Sequence, residues 1–243
     1  MPVLAGKRAL VTGGARRIGR ALALSLAAEG ADVVITSRQV NCKVEDAVTE
    51  LQRLGVRARA VACQVGDPAS VRTAIASATE YLGGLDLLVN NAGAFETAAL
   101  QDITPEQWDA MFSTNTRGPF LTAQAAYPHL KAAHGRIVNI GSLGGMHPWA
   151  THAHYCTSKA ALHMLSQTMA KTWAPEIAVN CVAPGMIVLG ETHDAAYDSF
   201  AKKTPMQRNG SADDVAAAVL FFASCPSFIT GQLLAVDGGL GLN

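Results

Sequence analysis

What most constrains this chain is a regular alternation, kept up along its length, of short apolar runs with longer stretches of helical periodicity. Arg8–Thr12, Asp32–Ser37, Ala58–Cys63, Leu85–Val89, Arg136–Ile140, Ile177–Val182 and Leu233–Val236 read as strands buried on both sides. Between them the spacing predicts helices over Ile18–Glu29, Asn41–Leu54, Asp67–Leu82, Thr104–Ala133, His152–Trp173 and Ser211–Ser224. Punctuation supports these limits. Gly30 and Gly55 follow helical runs, Asp67-Pro68 pairs an N-cap with a proline at the first helical position, and Thr104-Pro-Glu-Gln107 forms a capping box. Strand–helix alternation with short connections demands a parallel sheet covered by helices on both faces, a doubly wound α/β fold. Neither a repeat nor a linker interrupts it, so residues 1–243 are read as one domain.

Charge narrows the partners. Nineteen basic residues balance nineteen acidic ones, which argues against binding to nucleic acid or to a membrane surface through a basic patch. The longest apolar run, Val215–Ala223, is about half of what a bilayer span requires. Cys42, Cys63, Cys156, Cys181 and Cys225 are scattered and lack paired spacing, which suits a reducing cytoplasm better than a disulfide framework. The first residues run into a strand without a signal-like segment, in keeping with a cytoplasmic location.

Between the first strand and first helix lies Thr12-Gly-Gly-Ala-Arg-Arg-Ile-Gly19. A glycine turn there lets backbone N–H groups at a helix N-terminus face a pyrophosphate, so a Rossmann-type dinucleotide site is expected. The end of the second strand selects the dinucleotide: an acid accepts the 2′-hydroxyl of NAD, whereas arginine suits the 2′-phosphate of NADP. This chain has Ser37-Arg38 there, with no acid between Asp32 and Glu45, and Arg16 and Arg17 lie in the glycine turn. Singly, Arg16 or Arg17 reads equally well as a solvated surface arginine. The three together favour NADP.

Tyr155 and Lys159 are four residues apart in the helix His152–Trp173 and so share one face. A phenol is a poor acid or base near neutral pH, and a neighbouring ammonium is expected to lower its pKa. The pair is a candidate proton-transfer device, although this spacing also occurs in many helices by chance.

With Thr12–Gly19, Asn90-Asn-Ala-Gly93, Asn115, Ser142, Tyr155 and Lys159 together, the chain resembles the short-chain dehydrogenase/reductase family over Gly6 to Gly239, with Ser142 thirteen residues before Tyr155. The resemblance implies a catalytic set of Asn115, Ser142, Tyr155 and Lys159, with Asn115 holding a water against Lys159. It implies a cofactor set of Gly13, Arg16, Arg17, Ile18, Gly19, Ser37, Arg38, Gln64, Val65, Asn91, Ala92, Gly93, Tyr155, Lys159, Pro184, Gly185 and Ile187. The implied reaction is NADPH-dependent reduction of a small-molecule carbonyl, reversible as an alcohol oxidation, and the implied assembly is a homotetramer. Three departures stand out: Gln64 replaces an aspartate, Arg17 a glycine, and Leu189 a threonine. Arg17 and Pro184–Glu191 look like pteridine reductases, while Phe228–Gln232 and Thr204–Arg208 look like 3-oxoacyl-carrier-protein reductases. A non-catalytic NADP-binding sensor on the same fold is the reading from another class.

The remaining candidates are read more plainly. His147, His152 and His154 lack a carboxylate or thiolate partner at ligand spacing, so no metal is expected, and one of them is expected to line the substrate pocket. Phe95 and Trp149 are the expected pocket walls; Met146, Met186 and Tyr197 are wall or core. The segment from Thr192 to Lys203 is expected to cover the substrate. Met111, Phe112, Phe120 and Leu121 would serve a subunit interface or the monomer core.

Overall fold

The computed structural model describes residues 2–189 and 195–242. Seven strands form one parallel sheet: β1 (Arg8–Val11), β2 (Asp32–Ser37), β3 (Ala58–Ala62), β4 (Leu87–Asn90), β5 (Arg136–Ile140), β6 (Ala178–Pro184) and β7 (Leu233–Val236). Their order is β3-β2-β1-β4-β5-β6-β7. Between β1 and β4 the direction of winding reverses, and this leaves a crevice at the carboxyl ends of those strands.

Burial on both faces follows from the side-chain alternation of each strand. Ala9, Val11, Val33, Ile35, Leu87, Val89, Val138 and Ile140 face one core. That core is shared with α1 (Arg17–Ala28), α2 (Cys42–Gln52) and α8 (Ala212–Ser224). Leu10, Val34, Leu88, Ile137 and Val179 face the other core, under α3 (Pro68–Leu82), α5 (Gly118–Ala132) and α6 (Ala153–Trp173). None of the helices formed by described residues is long and apolar enough to cross a membrane.

The expected caps form as read: Asn41 and Asp67 accept backbone N–H groups at the starts of α2 and α3, and Thr104 with Gln107 closes a capping box. The long helix expected from Pro105 to Ala133 is not continuous. It is α4 (Pro105–Phe112), a π-helical turn over Ser113–Arg117, and then α5. The strand β6 runs two residues beyond the expected Val182, because Ala183 and Pro184 pair with Ala235 and Val236. Part of the expected covering segment is a helix, α7 (Ala195–Lys203), while Thr192, His193 and Asp194 lie outside the described residues.

Candidate active site

Four of the expected residues meet beyond the carboxyl ends of β4 and β5. Ser142 lies two residues beyond the end of β5 and is buried, and its hydroxyl accepts the N–H of Gly144 at 3.0 Å. Tyr155 and Lys159 come from α6, and the Ser142 hydroxyl reaches the phenol. The Lys159 Nζ is buried, donates to the carbonyl of Ile140 at 2.8 Å and lies 5.9 Å from the Tyr155 ring centre, within the range of a cation–π contact. The electrostatics differ from the sequence expectation. Burial pushes the Tyr155 phenol above its usual pKa, with the Ser142 hydrogen bond working in the opposite direction. Lys159 does not bond the phenol, and burial draws its own pKa down to about 8. Loss of hydration outweighs attraction to a cation whose charge is turned toward a carbonyl.

Asn115 sits in the π turn, 1% exposed, and its amide pairs with Ala94 in both directions: the Ala94 N–H donates to Oδ1 at 2.8 Å, and Nδ2 donates to the Ala94 carbonyl at 3.0 Å. Nδ2 also donates to the Ser158 hydroxyl at 3.0 Å. The side chain therefore knits the loop after β4 to α6. Gly93 lies at the junction: a Cβ there would sit 3.4 Å from Asn115 Oδ1 and 3.7 Å from Lys159 Nζ.

The glycine turn is shaped as a cradle. Gly13 has φ +64°, and a Cβ on Gly19 would strike the Gly13 carbonyl. Asn91 fixes the turn, its Nδ2 donating to the carbonyls of Thr12 and Gly13 at 2.9 and 3.2 Å. The backbone N–H groups of Asn91 and Ala92 both donate to the Thr12 hydroxyl at 3.0 Å. Arg17, standing in for the family's glycine, takes φ +52°, the left-handed region that glycine enters freely and arginine does not. Ile18 begins the part-buried face of α1.

Across the crevice Ser37 ends β2 and Arg38 is exposed. Among the described residues, Arg16, Arg17 and Arg38 form no ion pair, whereas the acid of β2, Asp32, lies at the far end of the strand and is bound by Arg57 at 2.8 Å. Gln64 is exposed and Val65 buried beside them. Pro184 ends β6, and a Cβ on Gly185 would come 2.7 Å from Asp237 Cβ. Ile187 is buried and bridges Gly210. These features fit a bound dinucleotide: a strand-to-helix turn opened by Gly13, Gly14 and Gly19, the guanidiniums of Arg16 and Arg17 in that turn and of Arg38 after β2 outside any ion pair among the described residues, and a crevice reaching to Lys159.

The histidines do not converge. The ring nitrogens of His152 lie 3.0 Å from the hydroxyls of Thr97 and Thr151, and the ring stacks on Phe95 with centres 4.8 Å apart. Phe95 meets Tyr155 edge-on at 4.8 Å, and Trp149 lies nearly parallel to Tyr155 at 6.0 Å. The two expected pocket walls therefore flank the phenol. His154 is wholly buried with neither ring nitrogen hydrogen-bonded, and Glu96 Oε2 lies 4.0 Å from Nε2. His147 borders a cavity with Leu143, Trp149, Met186, Phe200, Leu240 and Gly241. Sequence reasoning missed His163, buried on the Tyr155–Lys159 face of α6, and Leu240 and Gly241 near the end of the chain. The i+4 spacing from Lys159 could have flagged His163; the other two carry no local signal.

The fold and these groups define an oxidoreductase built on a dinucleotide-binding sheet, and comparison with known proteins agrees. Residues 13–241 match the family model described as Enoyl-(Acyl carrier protein) reductase. The chain is 38% identical over 242 residues to the 2,5-dichloro-2,5-cyclohexadiene-1,4-diol dehydrogenase LinX of Sphingobium indicum, covering 97% of this chain and 96% of that one. It is 36% identical over 240 residues to the 3-oxoacyl-[acyl-carrier-protein] reductase FabG of Staphylococcus epidermidis, covering 96% and 98%. A short-chain dehydrogenase from Burkholderia cenocepacia, crystallised with NADP, superposes with a TM-score of 0.91 at 42% identity, over 98% of each chain. The chain belongs to the short-chain dehydrogenase/reductase family.

Proposed function

We propose that the chain is an NADPH-dependent carbonyl reductase, reversible as an alcohol dehydrogenase, with Tyr155 as the general acid. The observation that carries this reading is the junction of Ser142, Tyr155 and Lys159 between the glycine cradle and an aromatic-walled opening. The Ser142 hydroxyl donates to the substrate carbonyl oxygen and the Tyr155 hydroxyl protonates it. The Lys159 ammonium, 5.9 Å from the ring centre, favours the phenolate as it forms. With a pKa drawn down to about 8, Lys159 can also pass a proton onward near neutral pH. Asn115 holds the loop after β4 against α6, which keeps the junction rigid.

Gly13, Arg16, Arg17, Ile18 and Gly19 would hold the pyrophosphate, and Ser37 and Arg38 the 2′-phosphate. Gln64 and Val65 would border the adenine, while Asn91, Ala92, Gly93, Pro184, Gly185 and Ile187 would line the remainder. When bound, the dinucleotide supplies or accepts the hydride. The guanidinium of Arg38 after β2 and those of Arg16 and Arg17 in the glycine turn, with the one acid of β2 engaged by Arg57, support NADP, and the Burkholderia relative was crystallised with that cofactor. The relatives point to two substrate types, a cyclohexadiene diol and a carrier-bound 3-oxoacyl group. We propose a small molecule. Assembly as a homotetramer is supported by the exposed Phe120 beside part-buried Phe112 on the α4–α5 surface; Met111, at 2% exposure, belongs to the monomer core.

The test is NADPH oxidation with a panel of ketones by wild type and Tyr155→Phe. The variant should keep the fold and bind NADPH while losing about 10²–10⁴-fold in rate. Activity retained within about threefold would reject Tyr155 as the acid. NADPH binding without turnover of any carbonyl in the panel would favour the sensor reading.

A further inference from the structure

The cavity bordered by Leu143, Trp149, Met186, Phe200 and Leu240 has a volume of about 180 Å³. It adjoins the reaction centre: Leu143 follows Ser142, and Trp149 lies nearly parallel to the Tyr155 ring at 6.0 Å. His147 and Trp149 are the lining residues with polar side-chain atoms; none of the described lining residues is a lysine, arginine, aspartate or glutamate. An apolar cavity of roughly 150 Å³ in another protein takes up benzene, so this volume suits about one six-membered ring.

The walls are held in place from several parts of the chain. A Cβ on Gly144 would meet Trp149 Cε3 and Cζ3 at 3.3 Å, so the absence of a side chain there lets the indole lie against the turn after Ser142. A Cβ on Gly241 would come 2.8 Å from Leu143 Cδ1 and 3.0 Å from His147 Nε2, so the C-terminal turn is pressed against the same loop. Asp237 fixes that turn by accepting the N–H groups of Gly239 and Gly241 at 2.9 and 2.8 Å. Phe200 lines the cavity from α7.

From this geometry we infer that the substrate is an uncharged ketone or secondary alcohol carrying one ring-sized apolar substituent, phenyl or cyclohexyl, directly on the carbonyl carbon, and that the ring enters this cavity. The inference rests on the reductase reading. Among the described residues that line the cavity, none offers a cation to a carboxylate or phosphate, and the described walls leave room for one ring rather than two. Phe200 and Leu240 set the ring size that is accepted.

The experiment compares kcat/KM, with NADPH, for methyl phenyl ketone, methyl cyclohexyl ketone, methyl naphthyl ketone and 2-octanone. It is run on wild type, Leu240→Trp and Phe200→Ala, each checked for fold by circular dichroism and for NADPH binding. A cyclic preference of at least tenfold over 2-octanone is expected in the wild type. Leu240→Trp should cut that ratio by about tenfold or more, in the range by which an apolar pocket discriminates single methylenes. Phe200→Ala should raise the naphthyl-to-phenyl ratio by a similar factor, and it carries the test alone if Leu240→Trp does not fold. Reduction of 2-octanone as fast as the cyclic ketones, or ratios unmoved by every folded variant, would overturn the ring assignment and leave the reductase reading standing. Binding of NADPH with no ketone reduced would overturn that reading, and this inference with it.

Discussion

The backbone N–H of Ser142 donates to Nε2 of His163 at 3.3 Å, beneath the turn that carries the site's serine. Accepting this bond fixes the His163 tautomer with its proton on Nδ1. Two glycines make room for the ring: a Cβ on Gly141 would strike Nε2, and one on Gly145 would lie 2.5 Å from Cε1. Burial first, and then the Lys159 ammonium, draws the imidazole pKa down to about 4. The neutral form is therefore a condition of the native loop.

This relation predicts a pH dependence. The unfolded chain protonates His163 near its ordinary 6.5, the native chain only near 4, so the unfolded state binds more protons between those values. The stability contributed is fully present above pH 6.5 and is lost as pH falls toward 4. His163→Leu should flatten this part of a urea-denaturation profile. Above pH 7 it should cost about 1–3 kcal/mol for the orphaned Ser142 N–H. An unchanged acid slope in the variant would refute the assignment.

Arg17 places a long side chain on a left-handed backbone. Such strain costs about 1–3 kcal/mol, against up to about 1 kcal/mol of extra chain entropy for glycine. Arg17→Gly should therefore stabilise the fold by about 1 kcal/mol, while raising KM for NADPH if the guanidinium meets phosphate. Calorimetry and steady-state kinetics on the same preparation test both halves. A variant that is less stable would show that the strain is matched by contacts made by Arg17.

Cofactor choice should lie at the end of β2. Two charge-assisted hydrogen bonds of about 1.5–3 kcal/mol each would favour NADPH over NADH by about 10²–10⁴-fold. Ser37→Asp with Arg38→Ala should repel the 2′-phosphate and accept a free 2′-hydroxyl, so the kcat/KM ratio should fall or invert. A wild type that prefers NADH, or a double variant with an unchanged ratio, removes Arg38 from that role.

The exposed Phe120 on α5, beside part-buried Phe112 on α4, predicts self-association. Light scattering of the wild type at micromolar concentration should give a tetramer mass, and Phe120→Asp should lower it. A monomer mass for the wild type would assign that surface to something other than assembly.

Much of the fold was legible because the strand runs are mainly apolar and several helices carry their own side-chain caps. Asn41, Asp67 and the Thr104–Gln107 box mark helix starts whatever the tertiary context. Tyr155 and Lys159 were legible for a similar reason, since helical spacing alone puts them on one face. The π turn was not, because Ser113–Arg117 differs from α-helix only in hydrogen-bond register and no residue type there enforces it. The direction of the Tyr155 shift was misread because burial is a property of packing and leaves no mark in a four-residue spacing. Leu240 and Gly241 reach the cavity through a loop closed by Asp237, about a hundred residues from Leu143 in the chain, a distance that local pattern does not span.

The π turn also makes the site depend on how many residues the helix contains. Such a turn holds one residue more than an α-helix would use, and each residue rotates an α-helix by about 100°. Deleting a single residue between Ser113 and Arg117 would rejoin α4 and α5 as one regular helix. The flanking helices would keep nearly the same relation, because the widened turn absorbs the extra residue, but the turn that presents Asn115 would be lost. The Asn115 amide could then no longer face both Ala94 and Ser158. In this stretch a one-residue change of length should do more damage than most changes of residue type, so relatives that keep the Asn115 clasp should keep the count as well.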